Sequence, residues 1–304
     1  MAGERWREYG NYLRRKYGNA VRRLPVDIGL ACPSLQDEKG EAADSGGRGG
    51  ENSGKERRVI SVREQLLSGR RGSQSFTGAG GSAGGDGDYG DMRYTALFTS
   101  PEATCLPAGH LKTFIREAMS VEGVVRIALA SRPDCLSYDY LREIQGMVRT
   151  VDSSMDLALE LELITVNYRA LDLTGCGYGL AEFIDAVLTA RTCGLDVGAV
   201  LRLDLSADEE IDVRENARVL SALRVDYLNL QANTSPEEEI FRRRLEVFLA
   251  YLDPGLPLDL PGGEEEKLRL REHLDAEGIR QGQKFSYLQG EGLQKFPQSG
   301  CDAI

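Results

Sequence analysis

The stretch VVRIALA-SRPDCLS-YDYLREIQGMVRTV-DSSMD-LALELELITV, from Val124 to Val166, decides the fold. Its two ends, Val124–Ala130 and Leu157–Val166, are apolar and strand-like, and the middle, Tyr138–Val151, repeats its apolar residues with the 3.6-residue period of a helix. A strand, a helix and a second strand in this order make a right-handed crossover between parallel neighbours. The pattern extends in both directions. Further strand-like runs lie at Arg93–Phe98, Val197–Leu205 and Val225–Leu230, with helical stretches at Leu106–Met119, Leu180–Cys193, Glu209–Leu223 and Pro236–Leu252. Local signals agree with these helices. Ser235 caps before Pro236, acids Glu237 and Glu238 fill the first turn, Asp208 and Glu209 open the preceding helix, and Gly194 ends another as a left-handed cap. With Val21–Leu30 added, six strands are each followed by a helix. Such a series curls into a partial barrel or lies open as a doubly wound sheet, and spacing does not separate the two. Either way ligands bind at the C-terminal ends of the strands, and Cys32 falls just beyond the first.

Two tracts interrupt the series. Residues 36–57 are rich in Gly, Glu, Asp and Ser, and residues 72–90 are dominated by Gly and Ser. Segments of this composition bury too little apolar surface to offset their ordering entropy and are expected to be mobile. Between them Val59–Arg71 has a short helical pattern. The expected organisation is therefore an N-terminal helix and first barrel strand in 1–35, Gly-rich insertions flanking a short helix in 36–91, the remaining βα units of the same barrel in 92–255, and a C-terminal helix and tail in 256–304. The glycines of 78–90 make neither a phosphate loop nor a dinucleotide fingerprint, because no strand-to-helix context surrounds them.

The chain has 304 residues and a formal net charge of −11. That balance argues against general DNA binding, which needs a basic face. Residues 5–23 nevertheless hold seven Arg or Lys, read here as a solvated helix face. Six cysteines, at 32, 105, 135, 176, 193 and 301, show no paired spacing and no C-x-x-C. No secretory segment and no membrane span is recognisable. The expectation is a cytoplasmic protein with reduced thiols and no membrane association.

Several stretches resemble the radical S-adenosylmethionine (radical SAM) superfamily and, within it, the bacterial YhcC-type proteins. They are Tyr12–Gly18, Leu24–Pro33 with its Ala31-Cys32-Pro33, Arg132-Pro133-Asp134-Cys135, Leu159-Glu160-Leu161, and Gly278-Ile279-Arg280-Gln281-Gly282-Gln283-Lys284-Phe285. The resemblance covers nearly the whole chain and implies an α/β fold, a partial TIM-like (β/α)6 barrel of parallel strands, with a [4Fe-4S] cluster and S-adenosylmethionine as cofactors. Cys32 and Glu160 occupy family cofactor positions. Other family positions are changed. Gly47-Arg48-Gly49-Gly50 survives, but the two cysteines expected after it fall on Glu51 and Gly54. The strand-four glycine falls on Glu162 and the glutamine after it on Ile164. The Asn-Arg-Gly-His of the family is Gly175-Cys176-Gly177-Tyr178, and its Gly-Leu-Pro-Gly is Asp204-Leu205-Ser206-Ala207. A cubane cluster needs three thiolates, so Cys32 reads as a small buried thiol. Glu160 reads as a buried acid paired with an Arg, for example Arg132 or Arg202, since a buried charge is costly alone. His110 and His273 have no metal-ligand spacing and read as surface.

These residues lead to a radical SAM-like pseudoenzyme that has lost cluster and SAM chemistry, carries no cofactor, and binds a protein partner through the barrel mouth or the basic N-terminal helix. The alternatives are an active radical SAM iron–sulfur enzyme with unusual ligation, completed by a partner chain or by Cys105, Cys135 or Cys176, and an acid-lined enzyme using Glu160, Glu162 and Asp204 around Mg²⁺ or Mn²⁺.

Overall fold

The computed structural model describes residues 8–29, 60–75, 92–174, 177–203, 208–232 and 239–283. The predicted strand-and-helix series is present. Seven strands, β1 (Val21–Val26), β2 (Arg93–Phe98), β3 (Val124–Ser131), β4 (Asp156–Leu163), β5 (Asp196–Arg202), β6 (Tyr227–Gln231) and β7 (Leu258–Asp259), form one sheet in chain order. Every neighbouring pair is parallel. Helix α1 (Tyr9–Tyr17) precedes the sheet, and α2 (Val62–Ser75), α3 (Ala108–Met119), α4 (Tyr138–Val151), α5 (Tyr168–Thr174), α6 (Leu180–Thr192), α7 (Glu210–Leu223), α8 (Glu239–Tyr251) and α9 (Glu264–Ala276) follow the strands. The sheet curls into a half-barrel with helices outside, which settles the choice that spacing left open.

Period-two alternation builds the two faces of this sheet. On β4, Leu157, Leu159, Leu161 and Leu163 point outward and are buried under the helices, while Ala158, Glu160 and Glu162 point into the barrel. Each buried leucine contributes about 1.5–3 kcal/mol. On the helices, the apolar stripe of α4, with Leu141, Ile144 and Val148, packs on that outer face, and Ser137 caps α4 by accepting from the Tyr140 amide at 3.3 Å. Gly194 does sit in the left-handed region, at φ 75°.

The structure departs from the sequence expectation in three places. A seventh strand is present. It has only two residues and follows Pro254, Gly255 and Pro257, so no alternation announces it. The thiols are not all reduced: Cys105 and Cys135 form a disulfide, with Cα atoms 5.2 Å apart. Each ends a short 3-10 turn, Pro101–Cys105 after β2 and Pro133–Cys135 after β3. The pairing comes from strand adjacency rather than from sequence spacing. The third departure concerns the basic N-terminal segment, which does not simply face solvent. Lys16 turns toward Asp156 and Asp196 beneath the sheet, and Arg23 lies on β1 with its guanidinium inside the barrel.

The stretch Gly278–Gln283 has a structural task. Gln281 is buried and donates to the carbonyls of Asp253 and Leu256, at 2.6 and 2.8 Å. A Cβ on Gly282 would stand 2.7 Å from Pro254, and its φ is +73°. The segment therefore clamps the turn that leads into β7. Among the described residues no helix is long and apolar enough to cross a membrane.

Candidate functional site: the interior and mouth of the half-barrel

The inward-facing residues form a closed base, a floor and an open mouth. At the base α1 plugs the N-terminal end of the strands. Tyr9 stacks on Tyr227 with ring centroids 4.5 Å apart, and both are buried. Lys16 pairs with Asp196 at 2.6 Å and with Asp156 at 3.1 Å, while the Tyr17 hydroxyl donates to Asp156 at 2.5 Å. Burial, more than any neighbouring charge, holds the Tyr17 hydroxyl far above the ordinary phenol range and pushes Tyr9 up to about 12. Asp156 lies below the usual carboxylate range, because its bonds from Tyr17 and Lys16 together outweigh its burial. Arg126, fully buried, lies over the Tyr227 ring at 4.9 Å and 3.3 Å from Asp196.

The floor is made by Glu160. One nitrogen of Arg23 donates to both of its carboxylate oxygens, at 2.5 and 2.6 Å, and the Tyr227 hydroxyl adds a third bond at 3.1 Å. The expected arginine partner of Glu160 is present; it is Arg23 from β1 rather than either of the examples Arg132 and Arg202. Arg23 also approaches Asp259 of β7 at 3.5 Å. It therefore ties the first, fourth and last strands together, and an isolated bridge between Glu8 and Leu258 adds a backbone link. Room for the Tyr227 ring comes from Gly198, its register partner on β5. A Cβ at Gly198 would lie 2.3 Å from that ring.

Above the floor opens a cavity of about 220 Å³, walled by Leu97, Pro101 and Val200 and edged by Glu162, Arg202 and Asn229. Glu160 forms its bottom. Glu162 is held loosely, by the Tyr178 hydroxyl at 3.2 Å and by Arg202 at 3.5 Å. Arg132, bound to Asp134 at 2.8 Å, lies over the Tyr178 ring. The two acids of β4 therefore do not act as a free pair: one is neutralised in the floor, and one faces the mouth beside a cation. The disulfide lies on the same rim, where the buried Thr104 and Ser131 hydroxyls bond at 2.7 Å and the Arg132 amide donates to Pro101 at 3.1 Å.

Of the residues singled out in the sequence, Cys32, Glu51, Gly54, Cys176 and Asp204 lie outside the described residues. His110 is exposed, and His273 pairs with Glu246 at 2.9 Å on the outer surface. Arg23, Arg126, Tyr9 and Tyr227 carry the interior chemistry but had no motif to flag them. The signal that existed was two arginines at inward-facing positions of otherwise apolar strands.

No family model matches the chain. It is 22% identical over 232 residues to an uncharacterized protein of Methanocaldococcus jannaschii, covering 73% of this chain. It superposes on the archaeal Elp3 of Methanocaldococcus infernus, solved with its N-terminus deleted, with a TM-score of 0.61 at 10% identity over 86% of this chain. The fold is shared with that Elp3. The chain spans 64% of the length of each of these proteins. Coproporphyrinogen III oxidase from Escherichia coli, a radical SAM enzyme, overlaps at a TM-score of 0.39 with 13% identity over 60% of this chain.

A cubane iron–sulfur cluster takes three thiolates, leaving one iron for its ligand. Among the described residues no three His, Cys, Asp or Glu converge on a common point. Cys105 and Cys135 are spent on each other, and Cys193 is buried on the outer face with its Sγ 3.8 Å from the Tyr138 carbonyl. Where the resemblance would place a glycine admitting S-adenosylmethionine, Glu162 projects into the mouth. The positions that the resemblance gives to the cluster, Cys32, Glu51 and Gly54, lie outside the described residues.

Proposed function

We propose that this chain is a radical SAM-like half-barrel that has lost cluster and S-adenosylmethionine chemistry and acts as a binding or scaffold protein through its mouth. One observation carries the reading: the two rim cysteines and the two inward carboxylates of β4 already have partners within the chain. The two rim cysteines are bonded together, Glu160 is locked to Arg23, and Glu162 faces Arg202. Such a rim selects a small ligand or an inserted side chain by hydrogen bonds over apolar walls. Among the described residues it offers no thiolate cage to iron. The shared fold with Elp3 and the sequence resemblance support the superfamily part of the proposal; the loss of chemistry rests on the donors.

The test is iron and acid-labile sulfide content, with an absorption spectrum, after anaerobic reconstitution of the full chain with iron and sulfide. A colourless protein with no bound iron is expected. A brown protein whose colour disappears in Cys32→Ala overturns the proposal and makes the chain an iron–sulfur protein with unusual ligation.

A further inference from the structure

The disulfide on the rim is open to solvent. Cys105 is exposed and Cys135 half-buried, although the residues beside them, Ala103, Thr104 and Pro133, are buried. Non-covalent ties flank the bond on both sides. Thr104, one residue before Cys105, bonds the Ser131 hydroxyl at the end of β3 at 2.7 Å. The carbonyl of Leu106, one residue after it, accepts from the Tyr140 hydroxyl of α4 at 3.0 Å. The Arg132 amide donates to the Pro101 carbonyl at 3.1 Å, and the Cys135 amide closes its own turn on the Arg132 carbonyl at 3.3 Å. The two turns are therefore held in register by contacts that use no sulfur, with the cysteine Cα atoms 5.2 Å apart. The thiols stay beside each other when the bond between them is cut. Among the described residues the one other cysteine, Cys193, is buried with its Sγ turned to the Tyr138 carbonyl, so no third thiol competes at the rim.

We propose that the Cys105–Cys135 bond is a reversible thiol–disulfide exchange site for low-molecular-weight thiols, with Cys105 as the sulfur attacked and Cys135 as the one that leaves. Exchange proceeds by attack of a thiolate on one sulfur of the pair, and access decides which sulfur is reached. Here solvent reaches Cys105 more freely. The small thiolate forms a bond to the Cys105 Sγ, the S–S bond breaks, and Cys135 departs as a thiolate that takes a proton from water. A second small thiolate then attacks the outer sulfur of the adduct and displaces Cys105. The sum is two small thiols oxidised to their disulfide and one protein disulfide reduced to two thiols, a transfer of two electrons. In reverse, Cys105 attacks the small disulfide and takes one half of it. Cys135, kept beside it by the ties through Thr104 and Leu106, then attacks the Cys105 Sγ and displaces the small thiolate. Exposed disulfides are the labile ones, whereas structural staples resist reduction by such thiols. Pro101 of the first turn and Ser131 just before the second also wall the mouth cavity, so the exchange takes place at its edge.

The test uses the full chain without metal, reduced and oxidised glutathione, and peptide mass spectrometry to read each cysteine. Reduced glutathione is expected to convert the native, oxidised chain to free thiols at Cys105 and Cys135 with its far-ultraviolet circular dichroism unchanged, and oxidised glutathione to restore the bond. Single variants give the direction of attack. With oxidised glutathione, Cys135→Ser is expected to collect a glutathione on Cys105, and Cys105→Ser to collect less on Cys135 in the same time. Reduction that proceeds only in denaturant, that abolishes the circular dichroism, or that oxidised glutathione does not reverse overturns the proposal and leaves a structural staple. Equal labelling of the two cysteines, or a preference for Cys135, overturns it as well. Neither measurement involves iron, so this inference and the functional reading fail separately.

Discussion

The two ends of the half-barrel use similar side chains for different ends. At the base, charged groups are buried, each faces an opposite charge, and an aromatic helix covers them. At the mouth, Glu162 and Arg202 approach only to 3.5 Å, and the Arg202 side chain is 47% exposed. Arg23 beside Glu160 shows the contrast within one strand pair-length, since Glu160 and Glu162 are two residues apart on β4. The lesson is that an acid facing a barrel interior is no sign of chemistry by itself. Its depth decides whether it is a structural counter-charge or a group available to a ligand.

The largest effect that sharpens this contrast is expected from Glu160→Ala. It strands the Arg23 guanidinium in the interior and destabilises the fold by about 3–5 kcal/mol, whereas Glu162→Ala, one pleat nearer the mouth, costs under about 1 kcal/mol. Denaturant unfolding of both variants measures the difference, and equal costs would erase the distinction between base and mouth. Next in size is the clasp between the loops after β2 and β3. It closes a loop of 30 residues, so Cys105→Ser, or reduction, lowers stability by about 2–4 kcal/mol. Thiol titration of the unreduced, denatured protein checks it directly, with two fewer free thiols than cysteines expected.

Gly198→Ala tests the floor from the other side. Its new methyl meets the immobile Tyr227 ring and costs about 1–3 kcal/mol of overpacking, read as a lower Tm. The smallest effect has the opposite sign. Asp208, buried at the start of α7 and bonded by the Thr165 hydroxyl at 2.7 Å, has its carboxyl pushed by burial up to about 6 from its ordinary 3.8. The folded state therefore holds an extra proton between about pH 4 and 6, and stability falls as pH rises through that window. Asp208→Asn removes this dependence and raises stability at pH 7 by about 1–2 kcal/mol. Unfolding curves for the two proteins at pH 4 and pH 7 measure it, and parallel pH profiles would contradict it.

Much of the fold was legible because βα units write themselves locally. The leucines of β4 alternate, α4 repeats, and Ser137 and Gly194 mark ends. What stayed hidden depends on tertiary adjacency. The two-residue β7 has no period to read. The bond between Cys105 and Cys135 follows from β2 lying beside β3. Lys16 and Arg23 looked like surface charges because nothing in their own segment reveals that Asp156, Asp196 and Glu160 wait beneath them. For the candidate site, Glu160 was correctly marked as an interior acid needing a cation, yet its partner lies 137 positions away, beyond any local pattern.

That distance has a consequence for how the chain assembles. Arg23 is made early, but its contacts with Glu160 and Asp259 span 137 and 236 positions. Local βα units can form in order, while the first strand has to keep an unmatched guanidinium in water until the sheet curls round to meet it. Contacts of such long range slow folding. The rate-limiting event expected here is the curling of the sheet that brings Arg23 to Glu160 and Asp259, and slower refolding of a chain lacking the Asp259 carboxylate would be its kinetic trace.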